Sequence, residues 1–139
     1  MNNINKVLVL QNVNAEIGAF KIRDISFSVY DSEVLVVLGE NGAGKTKLLE
    51  TIAGFLPIVS GKINLFGEDI LNKAANERNI GFIFQGLSLF PHLSVKENIL
   101  YGARFQVIPD LDREFKKLVH LFKLDNFLDR FPKTLSGGE

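Results

Sequence analysis

Eight residues, Gly39-Glu40-Asn41-Gly42-Ala43-Gly44-Lys45-Thr46, leave the chain around them little choice of fold. They fit the pattern of a phosphate loop, in which a glycine and four free positions precede Gly-Lys-Thr. Gly42 and Gly44 let the backbone turn through positive φ and approach an anion with no Cβ in the way, so that successive N–H groups converge. Lys45 adds a mobile positive charge for the β- and γ-phosphates, and the Thr46 hydroxyl suits Mg²⁺, a hard cation that prefers oxygen. Such a loop needs a strand before it and a helix after it, the helix turning its partially positive N-terminus to the same anion. Both flanks comply. Residues 34–38, Val-Leu-Val-Val-Leu, are apolar on both faces, as in a strand buried within a parallel sheet. From Lys45 a helix places Leu48, Leu49, Ile52 and Ala53 on one face and Lys47, Glu50 and Thr51 outward, with Gly54 and Pro57 as stop signals.

The chain has 139 residues, enough for one domain with a real core. Its 16 basic and 16 acidic residues cancel, which argues against a nucleic-acid partner. With no cysteine, disulfides, thiol catalysis and cysteine-ligated zinc are excluded, and a reducing compartment fits. The start, Met1 to Lys6 with only four apolar residues after it, does not read as a signal peptide, and no apolar run approaches a membrane span. A role at a membrane therefore means docking onto something that spans it.

Before the loop, residues 7–10 and 20–30 have strand character, Ile25, Phe27 and Val29 alternating with serines, so an antiparallel layer is expected with a turn over 16–19. After it come a strand over 61–66, a turn at 67–69, a short helix over 74–78 and a second apolar strand, Ile80-Gly81-Phe82-Ile83-Phe84, delivering Gln85. Ser94-Val95-Lys96-Glu97 forms a capping box, predicting a helix to about Tyr101. Pro109-Asp110 opens another, whose stripe of Leu111, Phe115, Leu118 and Phe122 is expected to lie in the core. A short helix over 125–130 is expected to stop at Phe131-Pro132. The last five residues are Leu135-Ser136-Gly137-Gly138-Glu139.

Those five residues, the phosphate loop and the run ending in Gln85, in this order, resemble the ATP-binding cassette (ABC) ATPases along the whole chain. The resemblance implies an α/β fold of P-loop NTPase type, a partial RecA-like core with an N-terminal antiparallel β layer and an α-helical subdomain. Residues 1–85 would form the β layer and core, and 86–139 the helical subdomain up to the signature. It also implies roles. Gly39, Glu40, Asn41, Gly42, Ala43, Gly44, Lys45, Thr46 and Lys47 would hold ATP, with Thr46 and Gln85 toward Mg²⁺ and Lys45 and Gln85 in catalysis. Ser136, Gly137 and Gly138 would reach the γ-phosphate of an ATP held by a second subunit, so two cassettes would sandwich two ATPs head to tail. The partners implied are that second ABC ATPase subunit, transmembrane permease subunits and, indirectly, a solute-binding protein. The location implied is cytoplasmic, peripheral on the inner face of the membrane. Leu89-Phe90-Pro91-His92-Leu93-Ser94-Val95 is similar to importers, and Ile17-Gly18-Ala19-Phe20 with Leu48-Leu49-Glu50 most resembles the molybdate, tungstate and sulfate type. The alternative within the family is a soluble nucleotide-gated clamp on ribosomes or nucleic acid.

The sequence departs from the family pattern at three places. Many relatives carry an adenine-stacking aromatic near Ile17; Phe20 stands close by, as a substitute or as a strand-core residue. Lys47 replaces the usual Ser or Thr, either beside the α-phosphate or as a solvated helix lysine. The acidic strand, catalytic glutamate and switch histidine are absent, and Asp69, Asp110, Asp112 and Asp125 do not follow a suitable apolar strand. His92 is expected to cap or pack and His120 to lie on a helix surface. The chain is therefore expected to be part of a longer cassette, marginally stable and without turnover by itself, its two apolar strands left as unpaired edges.

Overall fold

The computed structural model describes residues 5–86 and 88–136. The chain divides into two compact units, Met1–Phe82 and Ile83–Glu139.

In the first unit, β1 (Lys6–Ile17) and β2 (Phe20–Tyr30) form the expected antiparallel hairpin. Ile17 pairs with Phe20 across a turn of two residues, the length at which strand twist and turn twist match. β1 also pairs antiparallel with β3 (Ser60–Leu65), which pairs with the short β4 (Glu68–Asp69), giving the order β2-β1-β3-β4. The register slips between Leu10 and Val13, where Asn12 adopts φ 49. Asparagine tolerates that region, and its side chain holds the bulge by donating to Asp24 Oδ1 at 2.6 Å.

Behind the sheet, α1 (Lys45–Ala53) contributes Leu48 and Ile52 to a core with Leu10, Val13, Ala15, Ile22, Ile63 and Ile70. The expected face is rotated in part: Thr51 is fully buried and Leu49 is exposed. Thr51 tolerates burial because its hydroxyl donates to Lys47 O at 2.7 Å. The helix ends at Gly54, φ 88, whose N–H bonds the carbonyls of Glu50 and Thr51. Arg78 completes this terminus. It is buried, and its guanidinium donates to Thr51 O (3.1 Å), Ile52 O (2.8 Å), Lys73 O (3.0 Å) and Leu71 O (3.3 Å). A cation there neutralises the negative end of the helix, although burial lowers the guanidinium pKa. A Cβ at position 54 would lie 2.6 Å from Arg78 Nε, so the glycine also makes room for the arginine.

The two apolar runs are unpaired, as expected, but they are not the buried strands that their composition suggests. Residues 34–38 and 80–84 form no ladder with any described strand. Val34 (87%), Val36 and Leu38 are exposed, while Val37 and Ile80 pack against the core. A strand is defined by its neighbours, and these runs lack them here.

In the second unit, α2 (Val95–Leu100) begins with the expected capping box. Ser94 Oγ accepts from Glu97 N–H and Glu97 Oε2 accepts from Ser94 N–H. Asn98 donates to the carbonyls of Phe90, Leu93 and Ser94, tying the preceding loop to the helix. α3 (Leu111–Phe122) forms as expected, but its stripe does not make a closed core. Leu111, Leu118 (42%) and Phe122 (65%) are exposed, and Val119 is the buried residue. Residues 125–130 form consecutive turns rather than a helix, with Phe127 N–H to Leu124 O and Arg130 N–H to Phe127 O. No helix among the described residues is long and apolar enough to cross a membrane.

Replacing Arg78 by Met should lower the stability of the first unit by about 3 kcal/mol in urea denaturation, since buried carbonyls lose a charged donor. The Glu97 carboxyl lies below its ordinary value, chiefly through its hydrogen bond from the Ser94 backbone, then that with the Ser94 side chain. A depressed carboxyl pKa stabilises the fold above its unfolded value and ceases to do so as pH falls through the folded one. Thermal melts from pH 7 to pH 3 should therefore show a wild-type advantage over Glu97→Gln that disappears at the acid end.

Candidate functional site

The predicted phosphate loop lies in the first unit, between the apolar run 34–38 and α1. Gly42 has φ 83 and Gly44 φ 90, the positive values that the motif requires of them. Gly44 is the N-cap of α1. It offers no side-chain cap, and the first turn holds no acidic residue. The orphan N–H groups of that turn and the helix dipole therefore meet no carboxylate on their own helix. Ala43 N–H bonds Glu40 O and Leu48 N–H bonds Gly44 O, fixing the bend from both sides.

Lys45 folds back over the loop, its Nζ donating to Gly39 O at 2.8 Å and Glu40 O at 2.7 Å. The ammonium is thus held at the loop's own mouth by two neutral backbone carbonyls. Thr46, next along, is exposed, and so are Gly39, Glu40, Asn41, Gly42 and Ala43. Lys47 pairs with Glu50 at 2.9 Å across one helical turn, an arrangement that ties it to the helix surface. Together these residues can cradle an oxyanion with backbone donors and one mobile cation.

Beside the loop lies a cavity of about 220 Å³ lined by Phe20, Arg23, Val37, Ala43, Gly44 and Lys45, among others. Arg23 and Lys21 are held there by Glu16, at 2.9 and 3.6 Å. The sequence leaves Phe20 open as a base-stacking or a strand-core residue; it packs against the core, and its ring also meets the loop closely. A Cβ built on Gly44 would lie 1.8 Å from Phe20 Cζ. No sequence pattern encodes that contact, which joins residues 24 positions apart in chain order across the fold.

Gln85 is exposed at the start of the second unit and precedes Gly86, φ 135. Ser136 is exposed beyond the 3₁₀ turn Pro132–Thr134, while Gly137 and Gly138 lie outside the described residues. His92 meets the Phe90 ring edge-on at 6.0 Å, and His120 is exposed on α3.

A family profile described as ABC transporter matches residues 22–139. The chain belongs to the ABC transporter family. Among curated relatives of this ABC chain, a molybdate/tungstate import ATP-binding protein of Thermococcus kodakarensis is 40% identical over 135 residues, covering 96% of the chain and 41% of the relative. A sulfate/thiosulfate import ATP-binding protein of Pectobacterium atrosepticum is 36% identical over 137 residues, covering 94% and 42%. A solved nucleotide-free ATP-binding cassette from an ABC transporter superposes with a TM-score of 0.77 at 28% identity, covering 96% of this chain and 60% of that one. The chain thus spans about two fifths of the length of these curated relatives, and its fold is that of ABC ATPase cassettes.

Replacing Gly44 by Ala should both clash with Phe20 and strain a backbone at φ 90, costing about 2 kcal/mol of stability by chemical denaturation. Gly42→Ala meets no atom within 4 Å and should cost less.

Proposed function

We propose that this chain is the nucleotide-binding part of a transport ATPase that couples ATP binding and hydrolysis to the import of a small oxyanion through a separate permease. The observation that carries the proposal is the loop 39–46, with two glycines at positive φ, an unblocked helix N-terminus and Lys45 poised at its mouth. An incoming triphosphate would exchange the two carbonyl partners of Lys45 for phosphate oxygens, a trade of neutral acceptors for charged ones that favours binding. The Gly42 to Thr46 N–H groups would take the remaining oxygens.

Among the described residues no group of three His, Cys, Asp or Glu could hold a metal ion. Mg²⁺ would arrive with the nucleotide and be touched by few protein oxygens, here the Thr46 hydroxyl and the Gln85 amide. Held by these two residues, Mg²⁺ would supply positive charge to offset that of the nucleotide phosphates. Gln85 would orient the attacking water. Ser136, Gly137 and Gly138 would close over the γ-phosphate of a second subunit, and a head-to-tail dimer with permease subunits at the inner membrane face would convert closure into transport. The import ATP-binding names of the relatives support the transport role, and the molybdate, tungstate and sulfate they carry support an oxyanion cargo. By itself the chain would bind nucleotide without turning it over.

Calorimetric titration of the chain with Mg-ATP tests this directly. Lys45→Ala should weaken binding about tenfold to a hundredfold, the worth of one charge-assisted contact. Equal affinities, or steady phosphate release by the chain alone, would contradict the proposal.

A further inference from the structure

Phe20 is the first residue of β2, fixed by its pairing with Ile17 and packed against the core of the first unit. Its ring meets the phosphate loop end-on. A Cβ on Gly44 would lie 1.8 Å from Cζ, 2.5 Å from Cε1 and 2.7 Å from Cε2, so the tip of the ring occupies the space that a side chain at position 44 would fill. Gly44 is the left-handed residue from which α1 starts, and its carbonyl accepts the Leu48 N–H. The loop's last turn is therefore held on one side by α1, anchored through Leu48 and Ile52, and on the other by an aromatic ring anchored in the sheet. A residue that stacks on a base presents the face of its ring to the ligand. Here the ring end is directed at loop backbone.

We infer that Phe20 is a positioning residue for the phosphate loop, a wedge that holds Gly44 in its left-handed conformation so that the loop N–H groups stay convergent before any ligand arrives. The inference rests on the nucleotide-binding reading of the loop and specifies how that loop is preorganised. A glycine-rich loop samples many conformations, and each one that is incompetent reduces apparent affinity by the fraction it occupies. A wedge restricts this sampling whatever the ligand carries beyond its phosphates. Base stacking would instead matter only to ligands that have a base.

The test compares wild type, Phe20→Ala and Phe20→Leu, titrated with Mg-ATP, Mg-GTP and magnesium tripolyphosphate. If removing the wedge leaves the loop competent about a tenth of the time, Phe20→Ala weakens all three ligands about tenfold and by the same factor. Phe20→Leu, which keeps an apolar anchor in the core but lacks the ring tip, should follow the same pattern with a smaller loss. Loss confined to the two nucleotides, or no loss for any ligand, overturns the inference. Amide hydrogen exchange without ligand supplies the second reading. In Phe20→Leu, exchange at residues 43–46 should quicken while β1 and β3 keep their protection, and unchanged exchange at the loop overturns the wedge. If wild type binds none of the three ligands the nucleotide reading fails, yet the exchange experiment still decides what Phe20 does.

Discussion

The first unit depends on the burial of one short helix. α1 has nine residues, too few to persist alone in water, and its glycine N-cap adds no side-chain hydrogen bond. What holds it is the insertion of Leu48 and Ile52 among Leu10, Val13, Ile22 and Ile63 of the sheet, and the capping of its C-terminus by Gly54 and Arg78. Because the phosphate loop is the entry to this helix, the position of every loop N–H follows from that packing. A site made of backbone has no rigidity of its own; it takes its rigidity from the core beneath it and from the ring of Phe20 beside it.

The same unit shows where local sequence and long-range structure part. Of residues 34–38, Val34, Leu35, Val36 and Leu38 are exposed and Val37 packs against the core, and no described strand pairs with them. In the second unit, Ile83, at 97% exposure, and Phe84 present the same kind of apolar surface. The curated relatives are more than twice as long, and the ladder partners that the apolar composition calls for are not among the described strands. Open edges of this type promote association between chains. In the second unit the exposed leucines and Phe122 of α3 carry a similar liability, since a helix with a strong apolar stripe gains its stability by covering it.

Much of this was legible in the sequence because it follows from short-range rules. Period-two alternation gave the β1–β2 hairpin, the Ser94–Glu97 spacing gave the start of α2, and the glycine and lysine spacing gave the loop that α1 follows. Sequence and structure part where burial depends on distant partners. Polarity points Thr51 outward, yet it is buried because its hydroxyl can satisfy itself on its own helix. The spacing of the α3 stripe suggests a core, but spacing shows only that a face is apolar. Residues 125–130 read as a short helix ending at Phe131-Pro132, but Asp125, Asn126, Phe127 and Asp129 are weak helix formers and so short a run gains little from propagation.

The sequence alone determined that a glycine-rich loop exists, that a helix follows it, and that the order of motifs is that of an ABC cassette, since these depend on residue type and spacing along the chain. Tertiary structure alone decided that Phe20 meets Gly44, that Arg78 closes the far end of α1, and that Lys45 rests on the carbonyls of Gly39 and Glu40. The physical reason is range. A positive φ is a property of one residue, whereas a van der Waals contact or a buried hydrogen bond exists only once the sheet and helix have brought distant side chains within a few ångströms of each other.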